Sequence, residues 1–234
     1  MTTAPANPGA TVHTCDDDEL AFWREWFATK GGRWPEEYAS RQDPNLPLHW
    51  DFFAALGTPE GGVANILDVG AGPLTWMGKV WPGRTVKITA VDALAPGYDR
   101  LLAEHGVTPL VRTAYGDATK LVEQFGRDRF DLVHGRNAID HTADAPKAVR
   151  EMLSVARPGG AVFLGHKRNE GEFHRYAGMH RWNFDGAEVN GTVHFIAWNP
   201  TRRVDLTEEL NEAASVEVKL LPGWLNVLIR KRAV

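Results

Sequence analysis

The sequence predicts an α/β domain with a doubly wound, mostly parallel seven-stranded sheet that ends in a C-terminal antiparallel hairpin. Short apolar runs alternate strictly with amphipathic segments between residues 61 and 167, which is the pattern of βαβ units. Near the C-terminus, Pro222-Gly223 joins two further strand-like runs as a hairpin turn would. The length of 234 residues suits one large domain with its own core.

Five strands are predicted in the alternating region, each of them a short apolar run. They cover residues 66–69, 86–91, 108–113, 130–134 and 161–165, and the hairpin adds 215–221 and 224–231. Helices are predicted at 74–80, 98–105, 120–125 and 145–156, with Asp144 capping the last of them. Right-handed crossovers place the carboxyl ends of parallel strands at one edge of the sheet, where α/β folds bind their ligands.

The composition argues against several classes of protein. A net charge of −4 is not that of a basic nucleic-acid-binding protein. Cys15 is the only cysteine, so neither an intrachain disulfide nor a cysteine zinc site can form. No window approaches the about 18 apolar residues that a membrane helix needs, and the N-terminus has no signal-peptide pattern. We therefore expect a cytoplasmic protein with no nucleic-acid or membrane partner.

Polar groups suited to ligand binding follow the first three strands. The turn at residues 70–72 (Gly-Ala-Gly) lets a ligand approach the backbone, although no third glycine completes the G-x-G-x-x-G pattern of dinucleotide sites. Asp92 ends the second strand and either binds the ribose hydroxyls of a nucleoside or caps the following turn. Asp117 follows the third strand, where a carboxylate can accept a hydrogen bond from an adenine amino group. Three acids at successive strand ends, counting Asp68, favour a nucleoside site.

Five segments, in their order and spacing, resemble the successive motifs of the class I S-adenosylmethionine (SAM)-dependent methyltransferases, which have a Rossmann-like fold. The resemblance spans roughly residues 60–167. The segments are 66–72 (ILDVGAG), 91–92 (VD), 116–118 (GDA), 130–133 (FDLV) and 157–160 (RPGG). The resemblance implies that SAM is the cofactor and that methyl transfer is the reaction.

The resemblance also implies a role for each cofactor residue. The glycine turn passes under the methionine part and ribose of SAM, and Asp68 orders both the turn and the ligand's amino group. Asp92 binds the ribose hydroxyls, while Asp117 meets the adenine. Arg41 either reaches the carboxylate of SAM or lies on the surface. The full set of implied cofactor residues is Asp68, Gly70, Ala71, Gly72, Asp92, Asp117, Ala118, Gly135, Arg136 and Arg41.

His141 is the first candidate for a general base, with Asp140 as its neighbour. Both follow the fourth strand, close to where the methyl group should point, and a hydroxyl acceptor must lose a proton during transfer. An unperturbed imidazole titrates at about pH 6.5, which suits this role. The alternative is a histidine that only packs against the next helix.

The polar stretch after the fifth strand is predicted to recognise the acceptor. Trp182 within it either stacks on a sugar or aromatic ring or fills a gap in the core. Metal-dependent relatives gather carboxylates near the fourth and fifth strand ends, but the fifth strand here ends in His166-Lys167, so we expect no required metal. The predicted acceptor residues are His166, Lys167, Glu172, His174, Tyr176, His180 and Trp182.

We divide the single predicted domain into five segments. Within the second of them, Trp23, Trp26 and Trp34 either line the acceptor pocket or bury the segment itself. The segments are a disordered tail at 1–14, a helical lid at 15–60, the SAM-binding core at 61–167, an acceptor-recognition insert at 168–200 and a sheet closure at 201–234.

The predicted function is methyl transfer from SAM to a small-molecule hydroxyl. The polar insert favours a sugar or polyol over a natural-product ring, and the insert resembles sugar O-methyltransferases of the methylmannose type. Two alternatives stay open: a nucleotide-dependent oxidoreductase of related fold, and an inactive SAM-binding partner subunit. The oligomeric state is open, with a homodimer among the possibilities.

Overall fold

A computed structural model describes residues 15–233, so the tail predicted at 1–14 lies outside the described residues. Eight α-helices are described within this range: α1 (Cys15–Ala28), α2 (Pro35–Arg41), α3 (Trp50–Leu56), α4 (Ala95–Glu104), α5 (Leu121–Phe125), α6 (Ala145–Val155), α7 (Glu170–Phe173) and α8 (Leu206–Leu210). The ten described strands are β1 (Val63–Val69), β2 (Thr85–Asp92), β3 (Thr113–Tyr115), β4 (Phe130–Arg136), β5 (Ala156–Lys167), β6 (Asn183–Val189), β7 (Thr192–Asn199), β8 (Arg202–Asp205), β9 (Ala214–Leu221) and β10 (Trp224–Lys231).

The predicted fold class is confirmed. Seven strands form one sheet in the order β3-β2-β1-β4-β5-β10-β9. The first five of these strands pair in parallel, and β10 pairs antiparallel with both β5 and β9. The chain order reverses between β1 and β4, so the carboxyl ends of these strands flank the crevice where doubly wound sheets bind ligands.

Helices and aromatic side chains cover both faces of this sheet. Helix α6 buries seven of its eleven residues. Asp144 caps it as predicted, because its side chain accepts a hydrogen bond from the Lys147 amide at 3.0 Å. The opposite face carries α3, with Phe52 buried against Phe163 of β5. A separate cluster joins Trp23 and Trp26 of α1 to α4, which positions the N-terminal helices beside the carboxyl edge of the sheet.

The helix predicted at 74–80 is not formed, and this correction matters for the site. The segment runs as irregular chain and pairs with residues 46–48: the Lys79 amide donates to the Leu46 carbonyl at 2.7 Å, and the Leu48 amide donates to the Val80 carbonyl at 2.7 Å. A Cβ at Gly78 would lie 2.0 Å from the Pro47 oxygen, so the two chains approach as closely as glycine permits. Backbone groups engaged in this pairing cannot form helical hydrogen bonds.

Two other boundaries differ from the prediction. The third strand is not at 108–113 but at Thr113–Tyr115, because Pro109 has no amide to donate and only the later residues pair with β2. Strand β8 lies in the segment predicted to close the main sheet. It pairs instead with β7 in a small antiparallel sheet of order β6-β7-β8, which contacts β9.

No helix within residues 15–233 is long and apolar enough to cross a membrane.

Candidate active site

A cavity of about 470 Å³ opens at the carboxyl ends of β1, β2 and β4. Its walls come from the segments that follow these strands and β3, from α1, α2 and α4, and from the segment just before β6. Ten residues relevant to the predicted site line it: Arg41, Gly70, Ala71, Gly72, Asp92, Asp117, Ala118, Arg136, His141 and Arg181. The fold therefore brings most of the predicted cofactor residues to one place.

The glycine turn after β1 is required by close packing. Gly70 and Gly72 have φ angles of +69° and +65°, in the region that favours glycine. A Cβ at Gly70 would lie 2.3 Å from the Cβ of Ala138, and one at Gly72 would lie 2.8 Å from the Trp23 ring. The amides of Gly70 and Ala71 donate to the Val91 carbonyl at 2.8 and 3.1 Å, so the end of β2 holds the turn in place.

Asp92 both lines the cavity and holds two turns, so its two predicted roles are compatible. Its Oδ2 accepts a hydrogen bond from the Gly72 amide at 3.1 Å, and its Oδ1 accepts one from the Leu94 amide at 2.9 Å. Burial raises the pKa of Asp92, although the two amide donors favour the charged form. Each oxygen retains a lone pair that a ligand hydroxyl can use.

Asp117 caps the short 3-10 turn of Ala118–Lys120. Its Oδ1 accepts from the Thr119 amide at 2.8 Å and from the Thr119 hydroxyl at 2.7 Å. Partial burial alone would raise its pKa, but these hydrogen bonds and the nearby Lys120 lower it below the usual value. A charged carboxylate therefore stands at the end of the cavity opposite β4.

Asp68 and Gly135 lie behind the cavity wall, which corrects their predicted direct contact with a ligand. The buried Asp68 accepts from the Thr75 hydroxyl at 2.5 Å, and its other oxygen is 2.7 Å from His134 Nδ1. Gly135 is enclosed by Ile139 and Leu164. Asp68 pairs in register with His134 and points to the same face of the sheet, whereas Gly135 has no side chain that could reach the cavity. They can support the turn and the fourth strand but do not line the space.

Two arginines stand at the β1–β4 end of the cavity. Arg41 is largely buried, donates to the Leu74 carbonyl at 2.5 Å and pairs with Glu37, so the surface alternative for this residue is wrong. Arg136 lies over the rings of Trp76 and Trp224, at 4.4 and 5.2 Å from their centres. Burial lowers the pKa of Arg136, and among residues 15–233 no carboxylate lies within ion-pair distance of it.

Asp140 is almost fully buried and has three histidines around it. Its Oδ2 is 2.8 Å from His180 Nδ1 and 3.7 Å from His141 Nε2, and its Oδ1 is 3.6 Å from His166 Nδ1. Burial favours the neutral acid, but the His180 hydrogen bond and the imidazoles together lower the pKa of Asp140. The predicted neighbour of His141 thus makes its hydrogen bond to His180, forty residues later in the chain.

Three polar atoms of this cluster are buried without a hydrogen-bond partner. They are Asp140 Oδ1, His141 Nε2 and His166 Nε2. Native proteins rarely leave several such atoms together, because each loses its bonds to water and gains none in return. Burial also lowers the pKa of His166 to about 4, so this imidazole is neutral near pH 7.

None of the seven predicted acceptor residues is among those that line the cavity. His174 stacks on His180 with ring centres 4.1 Å apart, and Lys167 is exposed beside the buried Glu170. Glu172 accepts from the Trp198 indole at 3.0 Å, and the Tyr176 hydroxyl accepts from Asn183 at 2.8 Å.

Trp182 is 2% exposed and belongs to the main core, so the stacking hypothesis for this residue is wrong. Its ring packs where β6 meets the sheet, and its Nε1 is buried without a partner. Two residues that precede it in the insert behave differently. Met179 and Arg181 line the cavity, and sequence analysis missed both because nothing local marks their orientation.

The lid tryptophans divide between the two alternatives. Trp23 lines the cavity and is also buried, with its indole donating to Glu19 at 2.8 Å. Trp26 is buried beneath it, and Trp34 is half exposed away from the cavity. Asp16 and Glu19 of α1 also line the cavity, which sequence analysis did not predict.

A second, smaller cavity of about 220 Å³ lies on the other side of Arg136. Its walls are mostly aromatic and include Trp76, Phe163 and Trp224, with His49 and Asp51 at its edge. Because the two cavities share Arg136, the guanidinium separates a polar space from an aromatic one.

Comparison with known proteins finds similarity to methyltransferases. A methyltransferase-domain family matches residues 67–164. A ubiquinone biosynthesis O-methyltransferase of Xanthomonas campestris pv. campestris is 28% identical over 167 residues, which are 68% of this chain and 64% of the relative. The chain thus spans slightly less than two thirds of the length of that curated relative.

Two solved structures share the fold. One is a chain of the Haloferax volcanii complex that contains the Trm112 methyltransferase activator, with 13% identity, a TM-score of 0.55 and coverage of 93% of this chain and 97% of the other. The second is an O-methyltransferase family protein from Burkholderia thailandensis, with 8% identity, a TM-score of 0.53 and coverage of 95% and 64%. At these identities the likeness concerns the fold alone.

Proposed function

We propose that the chain is a class I SAM-dependent methyltransferase and that it transfers the methyl group of SAM to a hydroxyl of a small molecule. One observation carries the proposal. The cavity at the carboxyl ends of β1, β2 and β4 collects the glycine turn, Asp92 and Asp117 on one wall. A nucleoside needs such a set of groups: close backbone, a diol acceptor and an acceptor for an amino group.

In the proposed complex, Asp92 accepts hydrogen bonds from the ribose hydroxyls of SAM, and Asp117 with Ala118 lies against the adenine. The methionine end then points toward β4, where Arg41 and Arg136 supply positive charge for its carboxylate. Segment 15–60 acts as the lid in this arrangement, because Trp23 and Arg41 close the cavity from that side.

The acceptor hydroxyl is placed beside His141. This residue lines the cavity next to β4, and Met179 and Arg181 of the insert complete that wall. The relative from Xanthomonas campestris is named an O-methyltransferase, which supports oxygen as the acceptor atom. The comparisons do not support the sugar preference predicted from the polar insert, and Trp182, the ring in that insert expected to stack on a sugar, is buried in the core.

The reaction needs mainly alignment. The acceptor oxygen attacks the methyl carbon in line with the sulfonium, the new C–O bond forms as the S–C bond breaks, and S-adenosylhomocysteine leaves as a neutral thioether. The hydroxyl proton is released as the bond forms. The protein contributes by holding acceptor and methyl group at reacting distance and angle, and the sequence-based assignment of His141 as general base stays a prediction.

Calorimetric titration with S-adenosylhomocysteine and with SAM tests the cofactor assignment, with NADH as the comparison ligand. We expect binding of both sulfur nucleosides and none of NADH. Absence of heat and of thermal stabilisation at about 1 mM ligand would contradict the proposal. Methyl-labelled SAM incubated with a metabolite extract then separates an active enzyme from an inactive SAM-binding subunit, since only the enzyme labels an acceptor.

A further inference from the structure

We propose that Asp140, His141 and His180 bind a divalent transition-metal cation at the edge of the cavity. The three side chains offer one carboxylate oxygen and two imidazole nitrogens, and these atoms all lie within 4.8 Å of one another. Binding of the cation does not depend on the function proposed above; only its role in the reaction does.

The spacing of the donor atoms suits an ion. Ligands held about 2.0–2.1 Å from a tetrahedral zinc ion are separated from one another by about 3.3 Å. Asp140 Oδ2 lies 2.8 Å from His180 Nδ1 and 3.7 Å from His141 Nε2. Small side-chain rotations therefore suffice to place an ion between the three atoms.

The unpartnered buried atoms supply a second observation. Asp140 is 1% exposed and its Oδ1 has no hydrogen-bond partner, and neither has the buried Nε2 of His141. The distance of 3.7 Å between His141 Nε2 and Asp140 Oδ2 is too long for a hydrogen bond. A cation between His141 Nε2 and Asp140 Oδ2 would give the unpartnered nitrogen a ligand bond and would balance the charge of the buried carboxylate.

The surroundings resemble an outer layer around a metal. His166 Nδ1 is 3.6 Å from Asp140 Oδ1, and the buried Glu170 is 3.9 Å from His180 Nδ1. Both distances are too long for hydrogen bonds, so these groups add polar and anionic surroundings to the three ligands without fixing their orientation. Glu170, His174 and His180 form a second possible set of ligands, but His174 is exposed there. We assign the ion to the Asp140 set because its carboxylate and its unpartnered nitrogen are buried.

The donor set selects the class of cation. Two imidazoles and one carboxylate with open positions suit zinc, iron(II), cobalt or manganese, whereas magnesium prefers oxygen ligands and water. The expectation of no required metal rested on the end of the fifth strand, which carries His166 and Lys167 and no carboxylate. The donor that completes this set is His180, a residue of the insert.

The role of the ion rests on the proposed function. His141 lines the cavity, so a ligand position left open on the ion faces the place assigned to the acceptor hydroxyl. An oxygen bound to the ion loses its proton to bulk water more readily, and the resulting alkoxide attacks the methyl carbon. His141 is then a metal ligand and not a base, because the nitrogen that binds the ion has no lone pair left for a proton.

Titration of the chelator-treated full chain with zinc, followed by calorimetry and by elemental analysis after desalting, tests the inference. We expect one zinc per chain and weaker binding of magnesium. Asp140→Asn and His180→Ala should each lower zinc affinity by at least about 10–100-fold. This is the loss typical when a group that supports a metal ligand is removed, and removal of a ligand itself should cost no less. His194→Ala is the matched control, because His194 pairs with Asp205 away from the cavity and its loss should leave zinc affinity unchanged.

Two results would overturn the inference: zinc binding that survives both Asp140→Asn and His180→Ala, or zinc binding lost equally in His174→Ala, which would place the ion in the other set. His141→Gln serves where a variant fails to fold, and it should also lose zinc. S-adenosylhomocysteine affinity measured on the same samples separates the two proposals. Binding of zinc without binding of S-adenosylhomocysteine would support the metal site and contradict the proposed methyl transfer. Binding of S-adenosylhomocysteine without binding of zinc would support the cofactor assignment and contradict the metal site.

Discussion

The two walls of the main cavity are built in different ways. The turn wall consists of the Gly70–Gly72 turn, Asp92 and Asp117. The histidine wall consists of His141, which lines the cavity, and of Asp140 and His180, which lie behind it. On the turn wall, Asp92 and Asp117 accept hydrogen bonds from backbone amides within 20 residues in the chain. On the histidine wall, groups 40 residues apart meet, and two polar atoms find no partner. The carboxylates of the turn wall have hydrogen-bond partners within the protein, whereas the histidine wall has unpartnered atoms that the proposed cation would bind.

Among the variants of the two walls, Gly70→Ala should change the free energy of unfolding most, because Gly70 lies where the two walls are in contact. The new Cβ would lie 2.3 Å from Ala138, two residues before Asp140, at a φ of +69°. Overpacking and left-handed strain together should lower the free energy of unfolding by about 2–5 kcal/mol. Urea denaturation measures this change.

Gly106→Ala is the matched control for Gly70→Ala. It has a φ of +64° but no atom within 4 Å of the added Cβ, so only the strain of about 1–2 kcal/mol remains. Equal losses for the two variants would mean that the walls do not press on each other at Gly70.

Asp92→Asn should have an intermediate effect, which is a lower affinity for S-adenosylhomocysteine caused by a change in the turn wall alone. The amide group turns an N–H toward either the Gly72 or the Leu94 amide and removes an acceptor from the cavity. S-adenosylhomocysteine binding should weaken by about 1–3 kcal/mol, while zinc affinity stays unchanged. Asp99→Asn, which only affects the surface pair with Arg112, is the control for both titrations. A loss of zinc binding in Asp92→Asn would show that the walls are not independent.

The turn wall could be predicted from the sequence better than the histidine wall, because its groups interact over shorter distances in the chain. Asp92 was found because it ends a strand whose apolar run is visible in the sequence, whereas Asp117 was found from the Gly116-Asp117-Ala118 motif although the strand before it was misplaced. His180 and Asp140 were both predicted, but their contact was not, since no local pattern shows that the insert returns to the end of β4. The helix expected at 74–80 failed for the same reason: residues 46–48 compete for its backbone groups across a distance that periodicity does not report.

The smallest effect is expected from Trp182→Phe, behind the histidine wall. The change removes a buried N–H that has no partner, and this gain offsets part of the lost packing. We expect the free energy of unfolding to change by no more than about 1 kcal/mol, with nucleoside and zinc affinities unaltered. Trp182→Ala, in contrast, should cost about 3–5 kcal/mol. A loss of methyl transfer in a stably folded Trp182→Phe variant would restore the stacking hypothesis.

The irregular course of residues 74–80 has an electrostatic consequence. A helix beginning after the glycine turn would direct free amides and the positive end of its macrodipole at the cavity, and that charge would belong to the backbone. Here no helix follows the turn, and the positive charge at this end is carried by the side chains of Arg41 and Arg136. Attraction of an anionic group to this end of the cavity is therefore a property of two replaceable residues and not of the fold.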